Sequence, residues 1–254
     1  RAQALLIRSI NDQWGVFSRS RVQLLPHQLW VCRQVTQHWP ARWLVADDVG
    51  LGKTIEAGLI LTPLMATGRI RRLLILAPAR LVPQWRARMK SMFDIRLQEY
   101  TREQDRGNIS FWDTASQVVA SFHTLRQPAA RDRLLAAEPW DMVMVDEAHH
   151  FQAQERLSTQ TYDLLRELQD MDRIQSLILF TGTPHRGKDF GFLALMRLIR
   201  PDLFDPRQPV GDQLPKLREA MIRNNKALVT DLEGRRLFQP VSTETVDYDY
   251  TPAE

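Results

Sequence analysis

The sequence has one cysteine and no long apolar run. Because Cys32 is the only cysteine in the 254 residues, an internal disulfide framework and a cysteine-rich zinc site are excluded. A single thiol also suits a reducing cytosol. No apolar run approaches the roughly 18 residues that cross a membrane, so we expect no membrane partner. The chain begins at Arg1 without a secretion signal, and we interpret it as a cytoplasmic fragment of a longer protein.

A large excess of charge of one sign is also missing. The net charge is +4 and the pI about 9.5, which permits an anionic partner but does not require one. Hydrophobic residues make up 44% of the chain and charged residues 25%, as is usual for a globular protein that buries one core.

Short apolar runs alternate with longer segments of helical period. The apolar runs predict strands at 42–46, 73–77, 95–100, 117–121, 142–146 and 176–181. The helical segments lie near 26–39, 52–66, 80–93, 125–136, 155–169 and 190–199. Several runs are nearly continuous Val, Ile and Leu, which is typical of parallel strands covered on both faces. The alternation predicts a doubly wound, mostly parallel α/β sheet with its ligands at the carboxyl ends of the strands.

The pattern weakens after residue 200, where Pro201, Pro206, Pro209 and Pro215 follow in quick succession. We predict one helix around 217–228 and an extended tail after it. The expected organisation is a lead-in over 1–20, a nucleotide-binding lobe over 21–205, and a connector with its tail over 206–254.

A glycine-rich segment, ADDVGLGKT at 46–54, follows a predicted strand and opens a predicted helix. This is the context that a phosphate-binding loop requires, although Asp47 occupies the position of the usual first glycine. Lys53 is expected to contact the β- and γ-phosphates, and Thr54 to coordinate Mg²⁺. The alternative is a chance glycine turn before a helix. The predicted phosphate contacts are Asp48, Val49, Gly50, Leu51, Gly52, Lys53 and Thr54.

Two adjacent carboxylates end the apolar strand DMVMVDEAHH at 141–150. Because strand side chains alternate, Asp146 and Glu147 point in different directions and can do different work. We predict that Asp146 holds Mg²⁺ opposite Thr54, and that Glu147 orients or deprotonates the attacking water. Together with Lys53 they form the predicted catalytic set. The alternative is that the two acids cap the next helix.

Three further residues are predicted to couple the γ-phosphate to movement. His149 follows the acids, and Thr181 and Thr183 lie in FTGTP at 180–184, after another apolar run. Small hydroxyl side chains there can contact the acids. The alternatives are that His149 packs and that the threonines form a turn before Pro184.

Residues after two other predicted strands are candidates for nucleic-acid contacts. Arg80, Gln84 and Trp85 follow the second strand, and Ser121 and His123 follow the fourth. Side chains of these types contact phosphate backbones. The alternative for the basic helix downstream is a solvated face with a packed tryptophan.

Five motifs in this order resemble those of superfamily-two helicase-like ATPases. ADDVGLGKTIEAG, APARLVPQW, VMVDEAHHF and LFTGTPHRGK resemble motifs I, Ia, II and III, and LLPHQ resembles the element that reads adenine. DVGLGKTIEAG is similar to the Swi/Snf-type DNA translocases, especially their bacterial RapA-like branch. Segments after residue 182 also resemble helicase-type subunits of anti-phage systems such as DISARM.

The resemblance implies a RecA-like fold that binds ATP and Mg²⁺ and hydrolyses ATP to move along double-stranded DNA. It implies an adenine contact at Gln28, a second lobe beyond residue 254 as partner, and a nucleoid-associated location in bacteria. Protein partners in RNA polymerase recycling or anti-phage defence are also implied. The segment MIRNNK at 221–226 departs from the family, which is commonly richer in arginine there.

Two other functions stay open at this point. One is a strand-separating DNA or RNA helicase, with RNA or single-stranded DNA as its partner. The other is a non-catalytic scaffold that keeps a nucleotide-binding fold. Intact Lys53, Thr54, Asp146 and Glu147 argue against the scaffold.

Overall fold

A computed structural model describes residues 22–105, 110–185 and 188–239. The predicted lead-in 1–20 and the end of the predicted tail lie outside these ranges. The strands are β1 Arg42–Val45, β2 Leu73–Ala77, β3 Gln98–Glu99, β4 Gln117–Ser121, β5 Trp140–Val145, β6 Ile174–Phe180 and β7 Met221–Ile222. The helices are α1 Pro26–Thr36, α2 Lys53–Ala66, α3 Val82–Phe93, α4 Phe111–Thr114, α5 Pro128–Ala136, α6 Gln160–Asp170, α7 Asp189–Ile199 and α8 Val210–Gln213.

The seven strands form one sheet in the order β3-β4-β2-β5-β6-β1-β7. Every pair of neighbours in this order is parallel. The α/β sheet predicted from the apolar runs is therefore confirmed. β1, β6 and β5 lie side by side, so the segments that follow these three strands emerge next to one another at the carboxyl edge.

Alternate side chains of each central strand enter two different cores. Leu74 and Val143 pack on one face with residues of α5, α6 and α7. Leu73 and Met142 pack on the other face with residues of α1, α2 and α3. All five residues of β2 are buried. Burial on both faces explains why the strands read as continuous apolar runs rather than as alternating patterns.

Two predicted elements begin later than the sequence pattern indicates. The run at 95–100 forms only the short strand β3, Gln98–Glu99. The helix expected near 155–169 begins at Gln160, because the side chain of Thr159 caps it by accepting a hydrogen bond from Tyr162 N.

The prediction of a helix around 217–228 is wrong. A 3₁₀ turn at Leu214–Glu219 is followed by the edge strand β7. This segment pairs with the edge of β1 that β6 leaves free. Leu44 N donates to Ala220 O at 2.7 Å, and Ala46 N donates to Ile222 O at 2.7 Å. The sheet of the lobe therefore continues into the region predicted as a connector.

A close contact between α2 and α3 gives a test of this packing. A Cβ at Gly58 would lie 2.1 Å from Phe93 Cε2, whereas at Gly191 the nearest atom, Ala153 O, lies 3.6 Å away. We expect Gly58→Ala to lower the free energy of unfolding by about 1–3 kcal/mol through overpacking. Gly191→Ala is the matched control and should be neutral or stabilising by up to about 1 kcal/mol, since alanine favours helix. Urea denaturation measures both; equal stability of the two variants would contradict the packing.

Candidate active site

Three loops converge at the carboxyl edge of the sheet. They follow β1, β6 and β5, whose ends are in register through the pairs Val45↔Phe180 and Val145↔Leu179. The glycine-rich loop follows β1, the threonine segment follows β6, and the acidic pair follows β5. The parallel sheet thus places the three predicted motifs beside one another.

The glycine-rich loop has the backbone conformation of an anion-binding cradle. Gly50 and Gly52 adopt φ of +94° and +95°, a left-handed region that favours glycine. Gly52 is also the N-cap residue of α2, and its carbonyl accepts hydrogen bonds from Ile55 N at 2.7 Å and Glu56 N at 3.0 Å. The positive end of the α2 dipole therefore points at this loop, as phosphate binding requires.

Lys53 lies between this loop and the threonine segment. Its ammonium donates to Asp48 O at 3.4 Å. A Cβ at Gly182 would lie 2.6 Å from Val49 Cγ2 and 3.6 Å from Lys53 Nζ. A side chain at 182 would have to displace the Val49 side chain, so glycine favours this close approach of the two loops.

Asp146 is buried and held by two donors. Trp85 Nε1 donates to Oδ2 at 2.8 Å, and Glu147 N donates to Oδ1 at 2.9 Å. Burial raises the pKa of Asp146 above its ordinary value, while the Trp85 hydrogen bond and the Lys53 charge oppose that rise. The carboxylate is thus fixed in orientation while both oxygens keep lone pairs for a further ligand.

Glu147 has a different environment. Its backbone is left-handed, with φ of 50°, and its Oε2 lies 3.1 Å from His149 Nδ1. The hydrogen bond from His149 lowers the pKa of Glu147 below its ordinary value, against partial burial, and the Lys53 charge adds to the lowering. Glu147 is therefore ionised at neutral pH and able to accept a proton.

His149 joins the acidic pair to the threonine segment. Its Nδ1 lies 3.2 Å from Thr181 Oγ1, and Thr181 Oγ1 accepts from Thr183 N at 3.2 Å. Thr181 is buried, whereas the Thr183 side chain is exposed. The structure therefore brings all three predicted coupling residues together.

Gln28 lies under the glycine-rich loop. It is 1% exposed, and its Nε2 donates to Leu51 O at 3.0 Å. His27 Nε2 lies 3.2 Å from the same oxygen, and Gln28 Oε1 has no hydrogen-bond partner within the described part of the chain. Gln28 thus supports the loop in this structure, and its contact with adenine stays a prediction.

The nucleic-acid candidates divide into two groups. Arg80, Gln84 and His123 are exposed. Trp85 is 2% exposed and Ser121 is 8% exposed, and Ser121 Oγ accepts from His123 N at 3.2 Å. Trp85 faces Asp146 instead of the surface, which differs from the exposed position that a base or phosphate contact requires.

Asp47 and Asn224 are functional candidates that the motif patterns missed. Asp47 is fully buried, and its two oxygens accept from Asn224 N at 2.9 Å and Asn224 Nδ2 at 2.7 Å. Lys226 N donates to Asp48 Oδ2 at 3.0 Å. The segment after β7 is therefore bonded to the start of the phosphate loop. Two departures from the usual motifs are the sequence signals of this role: the aspartate in place of the first glycine, and the segment MIRNNK at 221–226.

Glu56 completes this cluster from the first turn of α2. It is fully buried, and no described residue offers a donor to its two oxygens. Burial raises the pKa of Glu56 well above its ordinary value, and the neighbouring Asp47 carboxylate raises it further. Glu56 is therefore a neutral acid that can donate its proton to Asp47.

The site fits a magnesium ion for which water and phosphate oxygens supply most of the ligands and the protein supplies one or two. Among residues 22–105, 110–185 and 188–239, no three His, Cys, Asp or Glu side chains cluster as a ready metal site. Mg²⁺ usually binds through one or two protein oxygens plus substrate phosphates. The fixed Asp146 carboxylate beside a phosphate cradle suits that chemistry.

A phosphate cradle, a lysine and a paired acid at the carboxyl edge of a parallel α/β sheet define a nucleotide-binding lobe of the P-loop class. The model of the SNF2-related domain family matches residues 29–235. The chain therefore belongs to the SNF2-related domain family, and the Swi/Snf-type resemblance is confirmed at this level.

Two solved structures from Sulfolobus solfataricus share the fold. The SWI2/SNF2 ATPase core in complex with dsDNA is 18% identical with a TM-score of 0.67, and the match covers 84% of this chain and 47% of that chain. The SWI2/SNF2 ATPase core domain is 18% identical with a TM-score of 0.62, covering 82% and 44%. The chain thus spans less than half the length of these two solved chains.

Within the ranges that the structure describes, no helix is long and apolar enough to cross a bilayer.

Because Glu56 is neutral in the folded protein, we predict that Glu56→Gln raises the free energy of unfolding by an amount that depends on pH. As the pH rises from the ordinary glutamate pKa to the raised folded pKa, the folded state keeps a proton that the unfolded state loses, so stability falls. Glutamine removes that loss, and its amide can still donate to Asp47. We expect the variant to be more stable than the parent at pH 7, with the gap growing by up to about 1.4 kcal/mol per pH unit.

Urea denaturation from pH 5 to pH 9 measures this gap. The exposed Glu138 is the matched control, and Glu138→Gln should change the free energy of unfolding by less than about 0.5 kcal/mol, as is usual for a surface substitution. A Glu56→Gln gap that is constant or shrinks as pH rises would contradict a neutral Glu56.

Proposed function

We propose that this chain is the ATP-binding lobe of an ATP-dependent double-stranded DNA translocase. One observation carries the proposal: the register of β1, β6 and β5 puts the phosphate loop, with the Lys53 ammonium 3.4 Å from Asp48 O, at the same sheet edge as Asp146 and Glu147. A single bound triphosphate can therefore meet the loop and the acidic pair together. Family membership and the DNA-bound state of one similar solved core support the choice of ATP and DNA.

The residues of the loop bind and orient the triphosphate. Backbone N–H groups between Gly50 and Lys53, with the α2 dipole, meet the phosphate oxygens. Lys53 contributes a compact positive charge to the β- and γ-phosphates. Thr54 and Asp146 would hold Mg²⁺, which when bound neutralises charge on the phosphates.

Glu147 orients the attacking water and accepts its proton. Its low pKa keeps it ionised, and the hydrogen bond from His149 fixes its direction. Loss of the γ-phosphate would change the electrostatic potential at Glu147, and His149 would transmit that change to Thr181, the first residue after β6. This path connects the nucleotide to the loop after β6.

The exposed residues after β2 and β4 are proposed to contact the DNA backbone. Arg80 lies in a 3₁₀ turn after β2, Gln84 in the first turn of α3, and His123 in a turn after β4. All three are at the carboxyl edge that also carries the acidic pair, since β4, β2 and β5 are neighbours. Contacts to phosphates position a protein without reading sequence. We therefore expect movement that is largely indifferent to base sequence.

The finer assignment rests on the motif resemblances. We propose the bacterial RapA-like branch, with helicase-type subunits of anti-phage systems as the second placement. A second lobe would supply arginines that stabilise the transition state, and the absence of such groups typically slows hydrolysis by about 10³–10⁵-fold. The chain alone is therefore expected to bind ATP and turn it over very slowly.

Substitutions at Lys53 and Glu147 separate binding from hydrolysis. Lys53→Ala removes a charged contact worth about 1.5–3 kcal/mol, so ATP affinity should fall by about 10–100-fold. Glu147→Gln keeps the shape and should leave affinity within about twofold while abolishing hydrolysis by the protein with its second lobe. Calorimetric titration with a non-hydrolysable ATP analogue and a phosphate-release assay measure the two effects. Equal loss of binding in both variants would overturn the assigned roles.

Nucleic-acid dependence of hydrolysis distinguishes the candidate functions. The rate of ATP hydrolysis by the full-length protein should rise with double-stranded DNA and little with single-stranded DNA or RNA. No strand displacement should accompany it. A preference for RNA or single strands would favour a strand-separating helicase, and nucleotide binding without turnover would favour a scaffold.

A further inference from the structure

We propose that Trp85 is a positioning residue that holds the Asp146 carboxylate for Mg²⁺. The indole N–H donates to Asp146 Oδ2 at 2.8 Å inside the protein. This inference rests on the proposed function, because it takes Asp146 as the carboxylate that meets the metal. It assigns to Trp85 a role at the nucleotide instead of at a nucleic acid.

The hydrogen bond fixes the plane of the carboxylate. An indole N–H can only donate, and it is carried on a rigid ring that is 2% exposed. The second oxygen, Oδ1, accepts from Glu147 N at 2.9 Å. With one donor on each oxygen, rotation of the Asp146 side chain would break a buried hydrogen bond.

Packing alone does not explain this contact. Trp112 and Trp140 are also fully buried, and neither indole N–H has a hydrogen-bond partner in the part of the chain that the structure describes. The fold thus accommodates a buried tryptophan whose N–H does not bond to protein. Trp85 is the contrasting case, in which the N–H points at a carboxylate.

The expected consequence is selective for the metal. Hydrogen-bond partners of metal ligands orient them, and their loss typically weakens metal affinity by about 10–100-fold. Trp85 lies in α3, outside the phosphate loop, and its indole N–H donates to Asp146. Its N–H should therefore matter for the metal-dependent part of nucleotide binding and not for the remainder.

Trp85→Phe tests this by removing the donor and keeping an aromatic ring. The affinity for a fluorescent ATP analogue is measured in EDTA and across a Mg²⁺ titration. We expect affinity in EDTA within about twofold of the parent, and a Mg²⁺ midpoint raised by about tenfold. Trp112→Phe is the matched control and should leave both values unchanged. In the Asp146→Ala background, Trp85→Phe should have no further effect on the Mg²⁺ midpoint.

The outcomes separate the inference from the proposed function. If the parent protein binds nucleotide without any Mg²⁺ dependence, the proposed site fails and the inference with it. If the parent shows that dependence but Trp85→Phe leaves the midpoint unchanged, the inference alone is overturned. A variant that loses nucleotide affinity equally in EDTA and in Mg²⁺, and loses thermal stability as well, would also overturn it. A purely structural role of Trp85 predicts that result.

A second readout needs no variant at Trp85. In protein with ¹⁵N-labelled indoles, Asp146→Ala should shift one indole N–H resonance upfield and leave those of Trp112 and Trp140 in place. Unchanged indole resonances would overturn the hydrogen bond on which the inference rests.

Discussion

Parallel pairing of β1, β6 and β5 is the constraint on which the site depends. Parallel strands must all present their carboxyl ends at one edge, and here those ends are aligned through Val45↔Phe180 and Val145↔Leu179. A phosphate loop, a threonine segment and an acidic pair distant along the chain thereby become neighbours. Burial on both faces fixes the strands, because sliding one of them would expose apolar residues of two cores at once. The geometry of the candidate site is therefore held by the whole core rather than by contacts within the loops.

Within that frame, the surroundings give each carboxyl group a separate character. Asp146 is buried against Trp85, and burial raises its pKa. Glu147 is one residue further on, but the hydrogen bond from His149 lowers its pKa. Glu56 sits beside Asp47 under the phosphate loop, and burial raises its pKa well above the ordinary range. Acids at one sheet edge thus differ in pKa, because burial and hydrogen-bond donors differ at each one.

The parts of the site that could be predicted from sequence carry local signals. The glycines, Lys53 and the Asp146–Glu147 pair follow apolar runs, and these runs predict both the strands and the edge at which they end. The Asp47–Asn224 contact joins residues 177 positions apart. Each residue stands in a segment that departs from the usual motif, but no local pattern predicts that the two meet. β7 has two residues, too few for a periodic signal, so its pairing was decided by the free edge of β1. Trp85 could be named as functional, but whether its ring faced DNA or Asp146 depended on packing of α3.

The central claim is that one metal–triphosphate is shared between the phosphate loop and the acidic pair. A crystal structure of the protein with Mg²⁺ and a non-hydrolysable ATP analogue tests it most directly. The account predicts a γ-phosphate between Lys53 Nζ and Glu147, with Mg²⁺ facing both Thr54 Oγ1 and Asp146. A nucleotide bound elsewhere, or one held by the loop with the metal remote from Asp146, would contradict it.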